Sequence, residues 1–157
     1  MKTHPLIIDY GNRKPVERPS WERYFLTIAQ AVSLRSHDGE TKVGAVIVDE
    51  NKRILATGYN GFPPGAEDHL LPNLRPDKYL FMVHAELNAI ATSRQDLRNS
   101  ALYSTHSPCR ECAKAIITAG IKKVCFQNSY KNDDWDFVEK FLKSCGVVLE
   151  QSLGDNP

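Results

Sequence analysis

The sequence predicts an α/β fold of three α-β-α layers, in which a mixed five-stranded sheet carries helices on both faces. Three observations predict it. Apolar residues recur at helical spacing in some segments and run together in others, in the order α-β-β-α-β-α-β-α-β. The first two strand-like runs are joined by a turn and read as a hairpin, whereas the later ones alternate with helices. A chain of 157 residues suits one domain around a single core.

Each element can be justified in turn. Residues 1–19 are polar and hold Pro5, Pro15 and Pro19, which reads as an irregular arm. Ser20 can cap a helix with Trp21, Tyr24, Phe25, Ile28 and Val32 at helical spacing, fading near His37-Asp38-Gly39. Val43 to Val48 is a β-rich run, Asp49 to Lys52 a turn, and Arg53 to Thr57 the return strand. Residues 58–81 open with glycines and prolines and carry Pro72 and Pro76 further on, so they read as a long loop of the kind that is functional or disordered. Ala85 to Arg94 reads as a helix and Ala101 to Thr105 as a strand. Cys109 to Ala119 is a helix ended by Gly120, and Lys123 to Gln127 a strand. Trp135 to Ser144 is a helix with Phe137, Val138, Phe141 and Leu142 as its apolar side, ended by Gly146. Val147 to Glu150 is the last strand, so the domain spans residues 20–152 and leaves a tail at 153–157.

Composition narrows the function classes. Hydrophobic residues make up 41% and charged residues 25%, ordinary values for a soluble globular protein. A net charge of +1 supplies no global field for nucleic acid or an anionic membrane, so an anionic ligand must be held by local groups. The apolar patch Leu6-Ile7-Ile8 is too short for a signal peptide or a membrane span, and a cytoplasmic protein is expected. That setting and a sizeable core argue against a disulfide framework for Cys109, Cys112, Cys125 and Cys145. Cys125, inside Val124-Cys125-Phe126, and Cys145, before Gly146, read as small buried or half-buried side chains.

Three segments carry the chemistry. His84-Ala85-Glu86 opens one predicted helix, Pro108-Cys109-Arg110-Glu111-Cys112 opens another, and Gly58-Tyr59-Asn60-Gly61 follows a strand. Cys109 and Cys112 stand about one helical turn apart, so both sulfurs can point the same way. The free N–H groups of that first turn favour thiolate. Two thiolates and the His84 imidazole form a zinc set of three protein ligands, which leaves a fourth position open to water, as in catalytic rather than structural sites. Glu86, two residues past the histidine, is free to move protons between water, a ring nitrogen and a leaving amine. A His-x-Glu followed by Pro-Cys-x-x-Cys is the signature of zinc-dependent nucleobase deaminases. A lone His-Ala-Glu is a weak signal, and a lone Cys-x-x-Cys is open to zinc-knuckle and redox readings. Together, in this order and with one strand between them, they are strong. A closed structural site with His106 or Cys125 as fourth ligand is the bland alternative, and it leaves Glu86 without a role.

The segments His84 to Ile90, Ser107 to Lys114 and Gly58 to Gly61 resemble the deoxycytidylate deaminases of the cytidine deaminase-like superfamily. The likeness runs from about Ser20 to Leu149 and includes Arg35-Ser36, Val43-Gly44-Ala45, Ala119 to Lys123, and the loop from Asn60 to Asp68. It implies hydrolytic deamination of dCMP to dUMP, feeding dTTP synthesis. It also implies one catalytic Zn2+ per chain on His84, Cys109 and Cys112, with Glu86 as proton shuttle. Some members bind a second, structural zinc through extra His and Cys residues, but here the long loop offers only His69. By the same resemblance Asn60 meets the deoxyribose 3′-hydroxyl, the Ala85 N–H the base carbonyl, and the Ser107 carbonyl the amino group. For the 5′-phosphate the candidates are Arg35, which can also be a solvated charge at a helix C-terminus, and Tyr130, which can also be a packed aromatic. The family forms homo-oligomers, often hexamers, and many members are activated by dCTP and inhibited by dTTP. The apolar Leu87, Ile90, Ile116 and Ile117 are candidates for buried oligomer surface. Gly58, Gly61 and Gly65 suit backbone contacts to a regulatory triphosphate, and Asp68 a Mg2+ ion on it.

Two readings compete with this one. Another deaminase of the superfamily would act on a tRNA base, a free base or a riboflavin precursor. A tRNA enzyme needs a basic face, and the balanced charge with acidic Asp133, Asp134 and Asp136 argues against it. The third reading is a zinc-stabilised binding module, which would release no ammonia.

Overall fold

A computed structural model of the chain describes residues 14–130 and 134–152. Most of the N-terminal arm, the C-terminal tail and the acidic Asp133 lie outside the described residues. The elements are α1 (Trp21–Ser33), β1 (Gly44–Val48), β2 (Ile54–Tyr59), α2 (Ala85–Thr92), β3 (Ala101–His106), α3 (Arg110–Thr118), β4 (Lys123–Asn128), α4 (Trp135–Ser144) and β5 (Val148–Gln151). The order read from the sequence is thus the order observed. Boundaries move by a few residues. The return strand runs on to Tyr59, and α2 ends at Thr92 because Ser93 turns to an extended backbone. The long loop holds two short 3-10 turns, Asp68–Leu70 and Asp77–Leu80.

The strands lie in the order β2-β1-β3-β4-β5. β1 pairs antiparallel with both β2 and β3, while β3, β4 and β5 run parallel. Parallel neighbours need a crossover, which α3 and α4 provide. Successive strand side chains point to opposite faces and divide the core in two. Val46, Val48, Tyr103 and Cys125 pack under α1 against Phe25, Leu26 and Ala29. Ala45, Ile47, Leu102, Val124 and Phe126 pack on the other face with Ala85 and Ala89 of α2, Ala113 and Ile116 of α3, and Val138 and Leu142 of α4. All five residues of β1 are buried, which is why that strand reads as a continuous apolar run. Ser20 caps α1 as expected, its Oγ accepting from the Arg23 N–H at 3.1 Å.

Two expectations need correction. Ile116 is fully buried, and Ile90 and Ile117 pack against the same core, so of the four apolar residues set aside for an oligomer surface only Leu87 is exposed. The sheet face between α2, α3 and α4 consumes the others. Cys145 is exposed, because it forms the C-cap of α4 and lies beyond the last apolar turn. Cys125 is buried as expected.

One edge of the sheet collects the chemistry. Val43 precedes β1, Asn60 follows β2, Ser107 follows β3 and Tyr130 follows β4, all at the same end. α2 reaches that end because β2 lets it come close. A Cβ on Gly58 would stand 2.3 Å from the Ala85 carbonyl oxygen and 2.4 Å from the Ala89 nitrogen, both backbone atoms of α2. Any side chain there must push the helix away from the strand. Gly58→Ala should therefore destabilise the protein by about 1–3 kcal/mol and weaken zinc retention, since α2 begins at the histidine. Urea denaturation and metal analysis of the purified variant measure both, and an unchanged midpoint would show that α2 has slack.

Candidate active site and metal centre

α2 and α3 begin side by side, and the residue at each start is a candidate ligand. His84 is the N-cap of α2 and Cys109 the N-cap of α3. Cys109 Sγ lies 3.3 Å and Cys112 Sγ 3.5 Å from His84 Nδ1, and the three ligand atoms all fall within 4.8 Å of one another. Tetrahedral zinc with Zn–S near 2.3 Å and Zn–N near 2.05 Å requires N···S separations of about 3.5 Å, so the geometry fits the ion. The charge pattern fits it too. Hydrogen bonds from Cys112 and His84 hold the Cys109 thiol below its ordinary value, although burial opposes this. Its partner Cys112, donating to that sulfur and deeply buried, is pushed up. His84 is raised chiefly by its bond to Cys109. A dication bound here would displace the thiol protons.

Glu86 sits in the first turn of α2 and is 4% exposed. Burial pushes its carboxyl up to about 7, the range in which a group both takes and gives protons near neutral pH. Cys112 Sγ lies 3.6 Å from Glu86 Oε2, so the carboxyl faces the ligand set. The closed-site alternative fails on position. Cys125 lies under α1 on the opposite face of the sheet, and His106 turns its ring onto Tyr130, with Nδ1 at 3.0 Å from the Thr105 hydroxyl. Among the described residues one other group of donors converges, Glu22, Cys125 and Glu150. That group lies on the opposite face of the sheet from His84, and Lys123 Nζ already pairs with Glu150 at 2.6 Å.

A cavity of about 290 Å³ opens over the centre. His84, Ala85, Glu86, Ser107 and Cys109 are among the residues that line it. Ala85 is the first residue of α2, where backbone N–H groups have no acceptor within the helix. Ser107 is buried, and its Oγ accepts from the Tyr130 N–H at 2.9 Å, which fixes Tyr130, another lining residue. Asp38, Thr41, Asn60, Arg75, Lys78 and Tyr79 line it as well.

The structure thus brings together His84, Ala85, Glu86, Cys109, Cys112, Asn60, Ser107 and Tyr130. It does not bring Arg35 to them. Arg35 is exposed beyond the end of α1 and does not line the cavity. Two cations do, Lys78 and Arg75. Arg75 Nε donates to the Tyr79 hydroxyl at 2.7 Å while NH1 stays 3.5 Å from Glu40. Motif reading misses Arg75, Lys78 and Asp38 because they stand in no motif. The only pointer to the first two is their place in the overlong loop. The glycines of that loop also change meaning. Gly58 is buried against α2, and Gly61 spends its N–H and carbonyl on Val83 at 3.0 and 2.8 Å. Neither is free to bind a phosphate. Gly65, at φ +90° with open space around it, and Asp68, exposed beside His37 at 3.7 Å, remain accessible.

Comparison with known proteins agrees with this construction. The family described as the cytidine and deoxycytidylate deaminase zinc-binding region matches residues 19–128. Mouse deoxycytidylate deaminase is 39% identical over 152 residues, covering 91% of this chain and 85% of the mouse protein. The human enzyme is 41% identical over 142 residues, covering 85% of this chain and 80% of its own. Among solved structures, the dCMP deaminase of cyanophage S-TIM5 in complex with dCMP and dUMP superposes with a TM-score of 0.70 at 34% identity, covering 87% of this chain and all of the phage chain. A tRNA A34 deaminase, at 21% identity and a TM-score of 0.55, shares the fold. With its ligand triad, its buried glutamate and these relatives, the chain belongs to the cytidine and deoxycytidylate deaminase family of zinc-dependent hydrolytic enzymes.

Proposed function

We propose that this protein deaminates dCMP to dUMP with release of ammonia, in the cytoplasm, as a step that feeds dTTP synthesis. One observation carries the reading. A single cavity is lined by His84 and Cys109 of the candidate zinc group, by Glu86, by Asn60 and by Arg75. Those are the kinds of group that the base, sugar and phosphate of one nucleotide call for. The deoxycytidylate deaminases at 39% and 41% identity, and the phage structure with dCMP and dUMP, support it.

The reaction breaks the C4–N bond of the base and forms a C4–O bond from water. Zinc, one ion per chain when bound, supplies Lewis acidity and brings the pKa of water towards neutrality. The residues of the chain do the rest. Glu86 takes a proton from water and gives it to the ring nitrogen, then carries the second proton to the departing amine, so ammonia leaves neutral. The Ala85 N–H holds the base carbonyl and the Ser107 carbonyl accepts from the amino group. Asn60 meets the 3′-hydroxyl. Arg75, rather than Arg35, holds the 5′-phosphate, with Tyr130 closing the rim. No helix among the described residues is long and apolar enough to cross a membrane.

The reading extends to assembly and control. The protein works as a homo-oligomer, a hexamer by resemblance, with exposed Leu74, Leu80 and Leu87 available for burial between copies. dCTP activates and dTTP inhibits, through Gly65 and Asp68, the latter holding Mg2+ on the triphosphate. The loop that bears them leads from Asn60 to Arg75, so a ligand there can favour one arrangement of the substrate site.

Three outcomes are expected. Glu86→Ala keeps its zinc by metal analysis and loses at least roughly 100-fold in turnover, since a positioned proton carrier contributes about that much; near-normal ammonia release would refute the proton shuttle. Arg75→Ala loses roughly 10- to 100-fold in kcat/KM on dCMP and little on deoxycytidine, because a charge-assisted bond is removed. Arg35→Ala changes both substrates little, and the reverse ranking would return the phosphate to Arg35. Finally, the dCMP saturation curve of a sample whose light-scattering mass is well above 17.7 kDa is sigmoidal, becomes hyperbolic with dCTP and Mg2+, and shifts right with dTTP. A monomer with a hyperbolic curve indifferent to both would remove the assembly and the control together.

A further inference from the structure

The cavity wall beside Asn60 is built from charges that satisfy one another. Lys78 is 3% exposed and places Nζ 2.8 and 2.9 Å from the two Asp38 oxygens and 3.0 Å from Glu40 Oε2, which uses its three hydrogens. Asp38 Oδ1 also accepts from the Glu40 and Thr41 N–H groups at 2.8 and 2.9 Å. Asp38 Oδ2 accepts from Asn60 Nδ2 at 3.1 Å. Burial disfavours both charges, but the bonds between them prevail and hold the Asp38 carboxyl below its usual range and the Lys78 ammonium above it.

The consequence falls on Asn60. Its second Nδ2 hydrogen goes to the Thr41 carbonyl at 2.9 Å, and its Oδ1 accepts from the Val43 N–H at 2.8 Å. Its backbone N–H donates to the Val43 carbonyl and its carbonyl accepts from Ser36 Oγ. A side-chain amide has two donor hydrogens and two acceptor lone pairs. Here both hydrogens are spent, and one lone pair on Oδ1 is left for a ligand. The amide cannot turn over either. Flipped, its oxygen would face the Asp38 carboxylate and the Thr41 carbonyl, and its NH2 would face the Val43 N–H.

We propose that Asp38, ion-paired to Lys78, is a positioning residue that makes Asn60 a pure acceptor, so that the site selects its substrate by a sugar hydroxyl acting as hydrogen donor. The inference rests on the nucleotide reading of the cavity and deepens it. A 3′-hydroxyl can donate to Oδ1, whereas a 3′-fluorine, of similar size, cannot, and it leaves the remaining Oδ1 lone pair without a donor.

The test compares dCMP with its 3′-deoxy-3′-fluoro analogue in the zinc-loaded enzyme, by ammonia release. The wild type prefers dCMP by roughly 10- to 100-fold in kcat/KM. In Asp38→Asn the new amide gives its oxygen to Lys78 and its NH2 to Asn60, which frees one Asn60 Nδ2 hydrogen to donate while Thr41 and Val43 still hold the amide in place, and the preference shrinks to within about 3-fold. A purely structural role for Asp38 would lower both substrates together and leave the ratio unchanged, which would overturn the proposal. Should Asp38→Asn fail to fold, the wild type alone decides, because turnover of the fluoro analogue within about 3-fold of dCMP excludes donor selection. A wild type inactive on dCMP would overturn the functional reading and this inference with it. Activity on dCMP with no preference overturns the inference alone.

Discussion

At Gly58, α2 lies on β2 with no side chain between the two backbones, and the site depends on that contact. Gly58 faces the backbone of Ala85 and Ala89 at distances no Cβ could occupy. The contact sets the height of the helix start, and with it the position of His84 Nδ1 over the two sulfurs that α3 brings from β3. Asn88 ties the same pair of elements again, its Nδ2 donating to the Tyr59 carbonyl at 2.8 Å. A centre whose ligands come from two helices needs both helices referred to one rigid frame. The fully buried strand β1, bonded to β2 on one side and β3 on the other, supplies it.

The electrostatics follow from the same economy. A protein with a net charge of +1 has no surplus field to draw an anion. Lys78 is wholly engaged by Asp38 and Glu40, and it serves the architecture of the wall rather than the ligand. Arg75 is about half exposed and pairs with Glu40 at 3.5 Å. Beside the His84, Cys109 and Cys112 group, burial pushes the Glu86 carboxyl up to about 7.

The long segment between β2 and α2 carries both Arg75 and Lys78. It leaves the sheet at Asn60, returns by the pairing of Gly61 with Val83, and in between sends Arg75, Lys78 and Tyr79 back to the cavity. It is held to the preceding loop by polar bonds, among them Phe62 N–H to His37 Nε2 at 3.0 Å and Gly39 N–H to the Asn73 carbonyl at 3.1 Å. Its exposed apolar side chains, Leu70, Leu74 and Leu80, take no part in the core of the single chain. A segment fastened at its ends and by polar contacts can carry binding residues without contributing much to the fold.

The sequence by itself determined the element order, the mixed sheet and the His84, Cys109 and Cys112 ligand group with Glu86 beside it. Each of these rests on local rules: periodicity within a segment, caps at helix starts, and ligand spacing of one turn. Ser20, His84-Ala85-Glu86 and Cys109 to Cys112 could therefore be read without coordinates. What only the tertiary structure decided depends on contacts between distant residues. Arg75 replaced Arg35 as a cation at the cavity, since the path of an irregular loop leaves no periodic signal. Gly58 and Gly61 proved to be packing and pairing residues, because close approach is a property of two elements and not of one. Ile90, Ile116 and Ile117 belong to the core, as the face of a helix that meets the sheet is settled only when the sheet is assembled. The acceptor-only state of Asn60 came last, from Asp38, Thr41 and Val43, all 17 to 22 residues away in the chain. Saturating an amide is a matter of three-dimensional accounting, and no local pattern records it.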